Sequence, residues 1–220
     1  NNLFHNFEHA SHVTFAAYQL ARRAVTREIA TTPTDCSSTN CCDTDPWDNL
    51  PVELTTSSST NGLATDALAQ YAVVFSALIH DVDHRGVPNV QLAKEKPDFA
   101  SKYQSKSIAE QNSVEMAWEL LEDDNFRDLR ACIFPNEKEH NRFRSMVVNV
   151  VMATDICDPS LRTFREMKWE RAFSSTNLLP ASVEYDAADE RISNAPVVMD
   201  LLIQAAYISH RLQPLAATER

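Results

Sequence analysis

Residues 66–89 read DALAQYAVVFSALIHDVDHRGVPN and include the longest apolar run of the chain, residues 71–79. This run is far shorter than the ~20 residues that a membrane-spanning helix needs. Its apolar side chains would surround a helix on nearly every side, which is typical of a helix at the centre of a domain. Thr65 and Asp66 are residue types that cap helix N-termini. We therefore predict a buried central helix that ends at the polar sequence HDVDHRGVPN.

Other segments of the chain also have the apolar spacing of helices. They are residues 4–26, SIAEQNSVEMAWELLED from Ser107, residues 138–154, SLRTFREMKWERAF after Asp158 and Pro159, and residues 196–212. Asp158 fits a helix N-cap and Pro159 fits the first helical position. The chain has no alternating strand pattern and only two glycines, whereas a sandwich or barrel with many tight turns would need more. We predict an all-α fold.

Two polar stretches interrupt the predicted helices. Residues 28–66 are rich in Ser, Thr, Asp and Asn and offer little for a packed core. We expect a long surface loop there, inserted within one domain rather than separating two. Residues 180–194 are expected to form an acidic loop.

The composition narrows the classes of function. A formal net charge of −11 repels polymeric nucleic acid and anionic membranes, so we expect neither as a partner. Two glycines are too few for a P-loop or a dinucleotide fingerprint. Five cysteines without zinc-finger spacing favour reduced thiols and a cytoplasmic location. A small anionic substrate is still compatible with this charge if a metal ion supplies a local positive centre.

Histidine and aspartate residues fall at the ends of three predicted helices. They are His5 and His9, four residues apart, then His80, Asp81 and His84, and finally Asp155. Such groups are costly to bury unless a partner such as a divalent metal ion satisfies them. Zn²⁺ binds imidazole nitrogen and carboxylate oxygen, and Mg²⁺ can share a bridging carboxylate. Two adjacent ions would activate a water and hold phosphate oxygens during in-line displacement.

Each of these signals, taken alone, also has a purely structural explanation. The first histidine pair is compatible with polar packing at the surface or in the core. His84 could be a satisfied core histidine and Asp83 a helix or turn cap. Ser107 and Glu110 fit a capping box at the start of a helix, in which the two side chains bond each other's backbone N–H groups.

Joined in order, the segments resemble the catalytic domain of class I 3′,5′-cyclic nucleotide phosphodiesterases. FHNFEHASHV is similar to the HN-x-x-HA motif of that family, and HDVDHRGVPN is similar to its HD-x-D-H-x-G-x-x-N motif. SIAEQNSVEMAWELL, FRSMVVNVVMATDICD and LIQAAYISHRLQ resemble later segments of the family in the same order. The resemblance implies one partial catalytic domain over residues 1–220, folded as a compact multi-helix bundle of the HD-domain type around a binuclear metal site. It also implies hydrolysis of cAMP and/or cGMP to 5′-nucleoside monophosphates.

The resemblance implies roles for four motif residues. His9, His80 and Asp81 would bind Zn²⁺, and Asp81 would bridge to a second ion, Mg²⁺ or Mn²⁺. A metal-bridging hydroxide would attack the cyclic phosphate. His5 would be the general acid that protonates the O3′ leaving group.

The resemblance places further residues around this centre and differs from the family at one of them. His84 and Glu110 would hold metal-bound waters and orient the acid, and Thr154 and Asp155 would lie near those waters. Tyr207 stands where the family has an aspartate as its fourth zinc ligand. A phenol with an unperturbed pKa of ~10 is a poor substitute for a carboxylate. We therefore expect weaker metal affinity and reduced turnover.

Two rival interpretations stay open at this point. The first is a catalytically impaired phosphodiesterase-like module that binds a nucleotide or a partner protein. The second is another HD-type phosphohydrolase, acting on nucleotide monophosphates. In the family, a glutamine and an aromatic clamp recognise the purine, and both lie C-terminal to this sequence, which leaves cAMP and cGMP undistinguished. The resemblance also fits a cytosolic domain of a larger membrane-tethered protein.

Overall fold

The computed structural model describes residues 4–30, 62–173 and 187–211, and these residues form helices and connecting turns without any strand. The helices are α1 Phe7–Ala30, α2 Ala67–Ile79, α3 Asn89–Glu95, α4 Pro97–Lys102, α5 Ile108–Leu121, α6 Arg127–Ile133, α7 Glu137–Met152, α8 Pro159–Phe173 and α9 Ala187–Arg211. The predicted all-α class is confirmed. No helix in the described ranges is long and apolar enough to cross a membrane.

Helix α2 lies at the centre of the bundle, with α1, α7 and α9 packed against it. Its Val73 side chain is fully buried, together with Phe143 of α7 and Ile203 of α9. Burying an apolar side chain of this size contributes roughly 1.5–3 kcal/mol relative to leaving it exposed. The predicted central helix is therefore confirmed, and its C-terminal end is held between its neighbours.

Small residues line the contacts between these helices. Ala17 of α1, Ala72 and Ala77 of α2 and Ala206 of α9 have no exposed surface. Because alanine projects only a methyl group, the helix backbones approach closely, and side chains at the helix ends can reach one another. Enlarging one of these positions, as in Ala77→Leu, would overpack the contact at a cost of about 1–3 kcal/mol.

Two predicted helix starts are confirmed by their cap geometry. The Asp66 carboxylate accepts a hydrogen bond from Ala69 N–H and caps α2, and it also pairs with Arg142 of α7. The Asp158 carboxylate accepts from the N–H groups of Ser160 and Leu161 at the start of α8. Each cap satisfies N–H groups that the helix cannot pair internally, worth typically about 1 kcal/mol.

The last helix differs from its prediction. Helix α9 begins at Ala187 rather than at residue 196, so the segment expected to end an acidic loop at residue 194 is helical from residue 187 onward. The sequence AADER from Ala187 consists largely of good helix formers, which outweighed the acidic composition. Pro196 consequently lies inside a helix, although the sequence suggested a helix start there. Residues 180–186 lie outside the described ranges, as does most of the insertion predicted at 28–66, where α1 continues to Ala30.

A second, smaller core supports the polar turn after α2. It contains Leu92 of α3, Tyr103, and Ile108 and Ala109 of α5. The helices α3 and α4 that flank this region were not predicted, and neither was α6 elsewhere in the chain, since each has only six or seven residues and no full apolar period. The small core brings the start of α3 beside the start of α5.

Candidate metal centre

Two helix ends bring the first four predicted residues together. His5 lies just before α1, and the Asn6 side chain caps that helix by accepting from His9 N–H at 2.9 Å. Helix α1 therefore does not extend to His5, although His5 and His9 still reach the same partner. His80 is the C-cap of α2, and Asp81 follows in the next turn. Packing of α1 against α2 places these two ends side by side.

Three imidazole rings converge on one carboxylate oxygen, Oδ2 of Asp81. His5 Nδ1 lies 2.6 Å from this oxygen, and His9 Nε2 and His80 Nε2 each lie 3.1 Å from it. Ligand atoms of His5, His9 and Asp81 lie within 4.8 Å of one another, close enough to share a metal ion. The side chains of His9 and His80 are 1% and 0% exposed, so water contributes little to satisfying them.

The His80 ring shows how the cluster is oriented. Its Nδ1 lies 2.8 Å from the Ala77 carbonyl oxygen, which can only accept a hydrogen bond, so Nδ1 carries the proton. In the neutral ring Nε2 then has a lone pair, and that atom is buried and forms no hydrogen bond of good geometry within the described residues. A lone pair 3.1 Å from a carboxylate oxygen is repulsive unless a proton or a metal ion lies between them. This arrangement is typical of an imidazole that binds a metal ion.

The spacing of the donor atoms tests whether a metal ion would fit. Around a tetrahedral Zn²⁺ with bonds of ~2.0–2.1 Å, neighbouring donor atoms lie ~3.3–3.4 Å apart. The distances of 3.1 Å from His9 Nε2 and His80 Nε2 to Asp81 Oδ2 are close to this value. Two imidazole nitrogens and one carboxylate oxygen are also the donor types that zinc accepts. The donor types and the two distances to Asp81 Oδ2 are therefore compatible with zinc.

The Asp81 carboxylate is held ionised by its surroundings. Burial alone would raise its pKa, but contacts from His5, His80 and His9 outweigh burial and hold the pKa well below its usual range. An ionised carboxylate can serve as a metal ligand without first releasing a proton.

The turn after α2 places a fourth histidine against the first. The rings of His84 and His5 have centroids 3.9 Å apart. Gly86 N–H donates to His84 Nδ1 at 3.0 Å, so this nitrogen is unprotonated. Burial, followed by the positive field of His5, lowers the pKa of His84. The structure thus holds His84 as a neutral ring beside the cluster rather than as a separate core histidine.

Asn89 joins two of the predicted carboxylates. Its amide nitrogen donates to Glu110 Oε2 at 2.8 Å and to Asp155 Oδ2 at 3.1 Å, and its oxygen accepts from Ala109 N–H at 2.9 Å. Burial raises the pKa of Glu110, the Asn89 hydrogen bond opposes this rise, and the Asp155 charge adds to it. Asn89 is the last residue of the HDVDHRGVPN motif, and no role for it was predicted from the sequence. Its position at the end of that motif was the available signal.

The capping box proposed for α5 is wrong. Ser107 forms no side-chain cap, and its hydroxyl instead donates to Asp155 Oδ2 at 2.8 Å. The Ser107 backbone is left-handed, with φ of +38°, a region that costs a non-glycine residue roughly 1–3 kcal/mol. The Glu110 side chain accepts from Asn89 and does not cap the helix. Both residues face the polar network, which outweighs the local preference.

The two residues at the end of α7 have different surroundings. Asp155 accepts four hydrogen bonds, from the side chains of Ser107 and Asn89 and from the N–H groups of Cys157 and Asp158. The Thr154 hydroxyl donates to the Val151 carbonyl of its own helix at 2.7 Å. Asp155 therefore joins the network of Asn89 and Glu110, and the Thr154 hydroxyl is engaged locally.

Tyr207 of α9 lies on the other side of the buried histidines. Its ring makes edge contacts with the rings of His9 and His80, each with centroids 5.9 Å apart. The structure thus places Tyr207 beside the cluster. What it supplies there is an aromatic ring in contact with the two rings that fit a zinc ion.

An all-helical bundle with histidines and an aspartate converging at helix ends defines a helical domain with a candidate metal centre. A sequence profile of the 3′5′-cyclic nucleotide phosphodiesterase family matches residues 4–220, nearly the whole chain. The chain therefore belongs to the 3′,5′-cyclic nucleotide phosphodiesterase family.

Individual relatives agree with this assignment. The human dual specificity calcium/calmodulin-dependent 3′,5′-cyclic nucleotide phosphodiesterase 1C is 29% identical over 141 residues, which cover 64% of this chain and 17% of that protein. The Caenorhabditis elegans protein named "Probable 3′,5′-cyclic-AMP phosphodiesterase pde-4" is 35% identical over 85 residues, covering 39% of this chain and 12% of the relative. The matched part of this chain spans less than a fifth of the length of either relative.

A solved structure supports the fold. The phosphodiesterase domain of the RhoPDE fusion protein from the choanoflagellate Salpingoeca rosetta superposes with a TM-score of 0.61 at 19% identity. The superposition covers 98% of this chain and 53% of that one. The likeness at this identity concerns the fold, and it confirms the predicted bundle type.

Proposed function

We propose that this chain hydrolyses the 3′,5′-cyclic phosphodiester of cAMP or cGMP to the 5′-nucleoside monophosphate. The observation that carries the proposal is the convergence of His5, His9 and His80 on one oxygen of Asp81 at 2.6–3.1 Å. Membership of the phosphodiesterase family supports the reaction class.

The two kinds of distance in the cluster separate two roles. Separations of 3.1 Å from Asp81 Oδ2 suit His9, His80 and Asp81 as the residues that would hold Zn²⁺, and Asp81 would also help to hold a second ion, Mg²⁺ or Mn²⁺. When bound, such ions neutralise phosphate charge and lower the pKa of a water enough to make it a nucleophile. The separation of 2.6 Å from His5 is instead that of a direct, charge-assisted hydrogen bond.

His5 is therefore the proton donor in this proposal. The ionised Asp81 carboxylate has no proton, so the short hydrogen bond requires the proton to be on His5 Nδ1. A protonated His5 keeps that bond and carries a second proton on Nε2. This proton passes to the O3′ oxygen as its bond to phosphorus breaks. The partly exposed side chain of His5, at 13%, is more accessible than those of His9 and His80.

The surrounding groups position these residues. The neutral ring of His84 packs on His5 and supports its orientation without competing for its proton. Glu110 and Asp155 are tied together through Asn89 and present carboxylates beside the metal centre. In this proposal they hold waters near the ions.

The test is hydrolysis of cAMP and cGMP, each assayed separately by purified protein with Zn²⁺ and Mg²⁺ supplied. We expect 5′-monophosphate to form and His5→Ala to lower kcat about a hundredfold or more, which is typical of removing a general acid. His140→Ala is the matched control, because His140 lies on α7 and pairs with Glu122, not with the cluster. Protein that binds metal but converts neither cyclic nucleotide would contradict the proposal. Turnover of nucleotide monophosphates instead would favour the alternative phosphohydrolase.

A second candidate function, nucleotide binding without turnover, is favoured by Tyr207. Its ring lies against His9 and His80, where the family pattern has a carboxylate. Tyr207→Asp restores that carboxylate. If the native chain is inactive and Tyr207→Asp gains both metal affinity and hydrolysis, the chain is an impaired relative with an otherwise complete centre. If the native chain is active and His5→Ala abolishes activity, the impaired-module interpretation is wrong.

A further inference from the structure

The turn at residues 153–155 follows α7 and carries one of the carboxylates beside the candidate metal centre. Asp155 Oδ2 accepts hydrogen bonds from the side chains of Ser107 and Asn89, and Oδ1 accepts from two backbone N–H groups. These bonds orient the carboxylate only if the backbone at Asp155 is itself held in place. The groups that hold the backbone of this turn therefore bear on the metal centre.

Two side chains from other helices hold the backbone carbonyls of this turn. Carbonyl groups at the C-terminal end of a helix have no partner inside the helix and need donors from elsewhere. Gln204 of α9 donates from Nε2 to the Ala153 carbonyl oxygen at 3.0 Å. Arg165 of α8 donates from Nη1 and Nη2 to the Asp155 carbonyl oxygen at 3.3 and 3.4 Å. Because Ala153 and Asp155 are both buried, water contributes little to satisfying these carbonyls.

Arg165 donates to a neutral carbonyl although a carboxylate lies within range of its charge. Burial raises the pKa of Asp200, and the charges of Lys168 and Arg165 oppose that rise. Among the described residues, however, Arg165 forms no ion pair, and its side-chain hydrogen bonds go to the Asp155 carbonyl. A cation just beyond the C-terminal end of α7 also interacts favourably with the negative end of the helix dipole. Arg165 is thus placed to hold the turn rather than to pair with a carboxylate.

Gln204 links this turn to the histidine side of the centre through α9. Gln204 and Tyr207 are three residues apart, so they are neighbours on the surface of that helix. The Tyr207 ring contacts the rings of His9 and His80. Helix α9 packs against both α7 and α8, which carry the turn and its second donor. The turn is therefore held from two helices that also contact each other.

We propose that Arg165 and Gln204 are positioning residues that hold the Asp155 carboxylate at the metal centre by fixing its backbone turn. For its effect on metal binding, this inference rests on the proposed function, in which Asp155 helps to hold waters near a second ion. Within the described part of the chain, neither side chain forms a hydrogen bond to the residues that would hold zinc. Loss of either side chain should therefore weaken binding of the second ion more than binding of zinc.

Amide hydrogen exchange of the metal-free protein, followed by NMR, tests the positioning itself. The N–H groups of Cys157 and Asp158 donate to Asp155 Oδ1, so they lose protection if the carboxylate turns away. Arg165→Met and Gln204→Met remove the side-chain donors and keep an unbranched chain of similar length. We expect each variant to speed exchange at these two amides at least about tenfold.

Binding of Mn²⁺ to the zinc-loaded protein, followed by electron paramagnetic resonance without any nucleotide, tests the consequence for the metal centre. We expect Arg165→Met and Gln204→Met each to raise the Kd for Mn²⁺ by about threefold to tenfold, at the low end of the effect of removing a residue that orients metal ligands. The zinc content should stay at the native value. Because both side chains act on one turn, the double variant should lose less affinity than the product of the two single losses.

Matched variants separate positioning from a general loss of structure. Arg162→Met is the control on the same helix, because Arg162 pairs with Glu166 on an exposed face, and it should change neither measurement. Gln204→Lys keeps an N–H donor and should retain most of the Mn²⁺ affinity that Gln204→Met loses. The Ala69 amide, which donates to a carboxylate at the start of α2, should exchange at the native rate throughout. Arg165→Lys, with one donor and the charge retained, replaces Arg165→Met if circular dichroism shows that variant to be unfolded.

Unchanged exchange at Cys157 and Asp158 in both donor-deleting variants would overturn the proposal. Faster exchange with unchanged Mn²⁺ affinity would also overturn it, as would an equal loss of zinc and Mn²⁺, which indicates a general structural effect. If the native chain binds zinc but no Mn²⁺, the second ion of the proposed function is wrong, and the exchange rates alone decide the positioning role. Neither measurement uses hydrolysis, so the two failures are distinguishable.

Discussion

Asp81 and Asp200 are two buried aspartates of one helical bundle, and their carboxyl pKa values shift in opposite directions. Burial favours the neutral form of both. At Asp81, contacts from three imidazoles overcome burial and hold the pKa well below its ordinary value. At Asp200, Lys168 at 3.6 Å is too distant to do so, and the pKa rises to about 6.

The comparison shows that convergence of donors, rather than burial, decides what a buried carboxylate can do. Asp81 is ready to bind a cation because three imidazole rings at the ends of two helices keep its carboxylate ionised. At Asp200 one carboxylate oxygen, Oδ1, is buried and has no hydrogen-bond donor among the described residues, so its burial is not offset. Four changes test this difference, and they are taken from the largest expected effect to the smallest.

Asp81→Asn should have the largest effect. The amide removes the shared negative ligand and presents its own N–H groups to three imidazole nitrogens, so we expect metal affinity and hydrolysis each to fall more than about a hundredfold. Metal content by plasma mass spectrometry and kcat/KM for cyclic nucleotide measure the two losses. Asp83→Asn is the matched control, since Asp83 lies two residues away with a side chain 41% exposed. Retention of full metal content by Asp81→Asn would mean that Asp81 is not a ligand.

Asn89→Asp should have the next largest effect. The change replaces the amide that donates to Glu110 and Asp155 with a third carboxylate, so two hydrogen bonds to charged groups are lost and like charges meet. We expect metal affinity to fall about tenfold to a hundredfold and the free energy of unfolding to fall by about 3 kcal/mol. Calorimetric metal titration and urea unfolding check these values. Gln91→Glu is the control, because Gln91 is an exposed amide on the same helix. If Asn89→Asp and Gln91→Glu changed metal affinity and unfolding free energy equally, Asn89 would not be a positioning residue.

The contrast between Asn89 and Asp81 also shows how far the sequence could lead. His80 and Asp81 were predictable because they end an apolar helix, and an unpartnered charge there would be costly. The three-ring convergence on Asp81 needed the packing of α1 on α2, which local periodicity does not encode. The different roles given to His5, as proton donor, and to His9 and His80, as metal ligands, were predicted from the family resemblance. The physical support for this difference is that His5 lies closer to Asp81 Oδ2 than His9 does.

Other features depended on contacts between distant residues. The Ser107 hydroxyl donates to the Asp155 carboxylate, 48 positions away in the sequence. Because of this contact Ser107 does not form the capping box that its local sequence pattern predicts. Asp200 had no motif, because its significance comes from burial between α8 and α9. The start of α9 at Ala187 follows from the helix propensity of AADER, which the acidic composition of this segment masked.

Asp200→Asn should stabilise the protein at neutral pH. The native pKa of Asp200 is raised from 3.8 to about 6, so the native state binds a proton more tightly than the unfolded state does. This group therefore destabilises the fold increasingly as pH rises from about 4 to 6, by up to about 3 kcal/mol above that range. We expect the variant to exceed the native chain in free energy of unfolding by about 1–3 kcal/mol at pH 8 and to show little difference near pH 4.

Urea unfolding of both proteins across this pH range measures the difference. Lys168→Met is the matched test in the opposite direction, because it removes the nearest cation from the ionised carboxylate and should destabilise at pH 8 more than at pH 4. A difference between native chain and Asp200→Asn that does not vary with pH would show that Asp200 keeps its ordinary pKa. The pKa values of Asp81 and Asp200 would then not shift in opposite directions.

Glu166→Gln should have the smallest effect on the free energy of unfolding and shows how little an exposed ion pair contributes. Glu166 pairs with Arg162 one turn earlier on α8 at 3.0 Å, but the two side chains are 60% and 73% exposed. Water screens such a pair, so the free energy of unfolding should fall by no more than about 0.5 kcal/mol, and added salt should remove the difference. A loss of unfolding free energy well above about 0.5 kcal/mol would mean that exposed charges on α8 contribute as strongly as buried ones. The opposite pKa shifts of Asp81 and Asp200 could then not be attributed to burial and to the number of donors around each carboxylate.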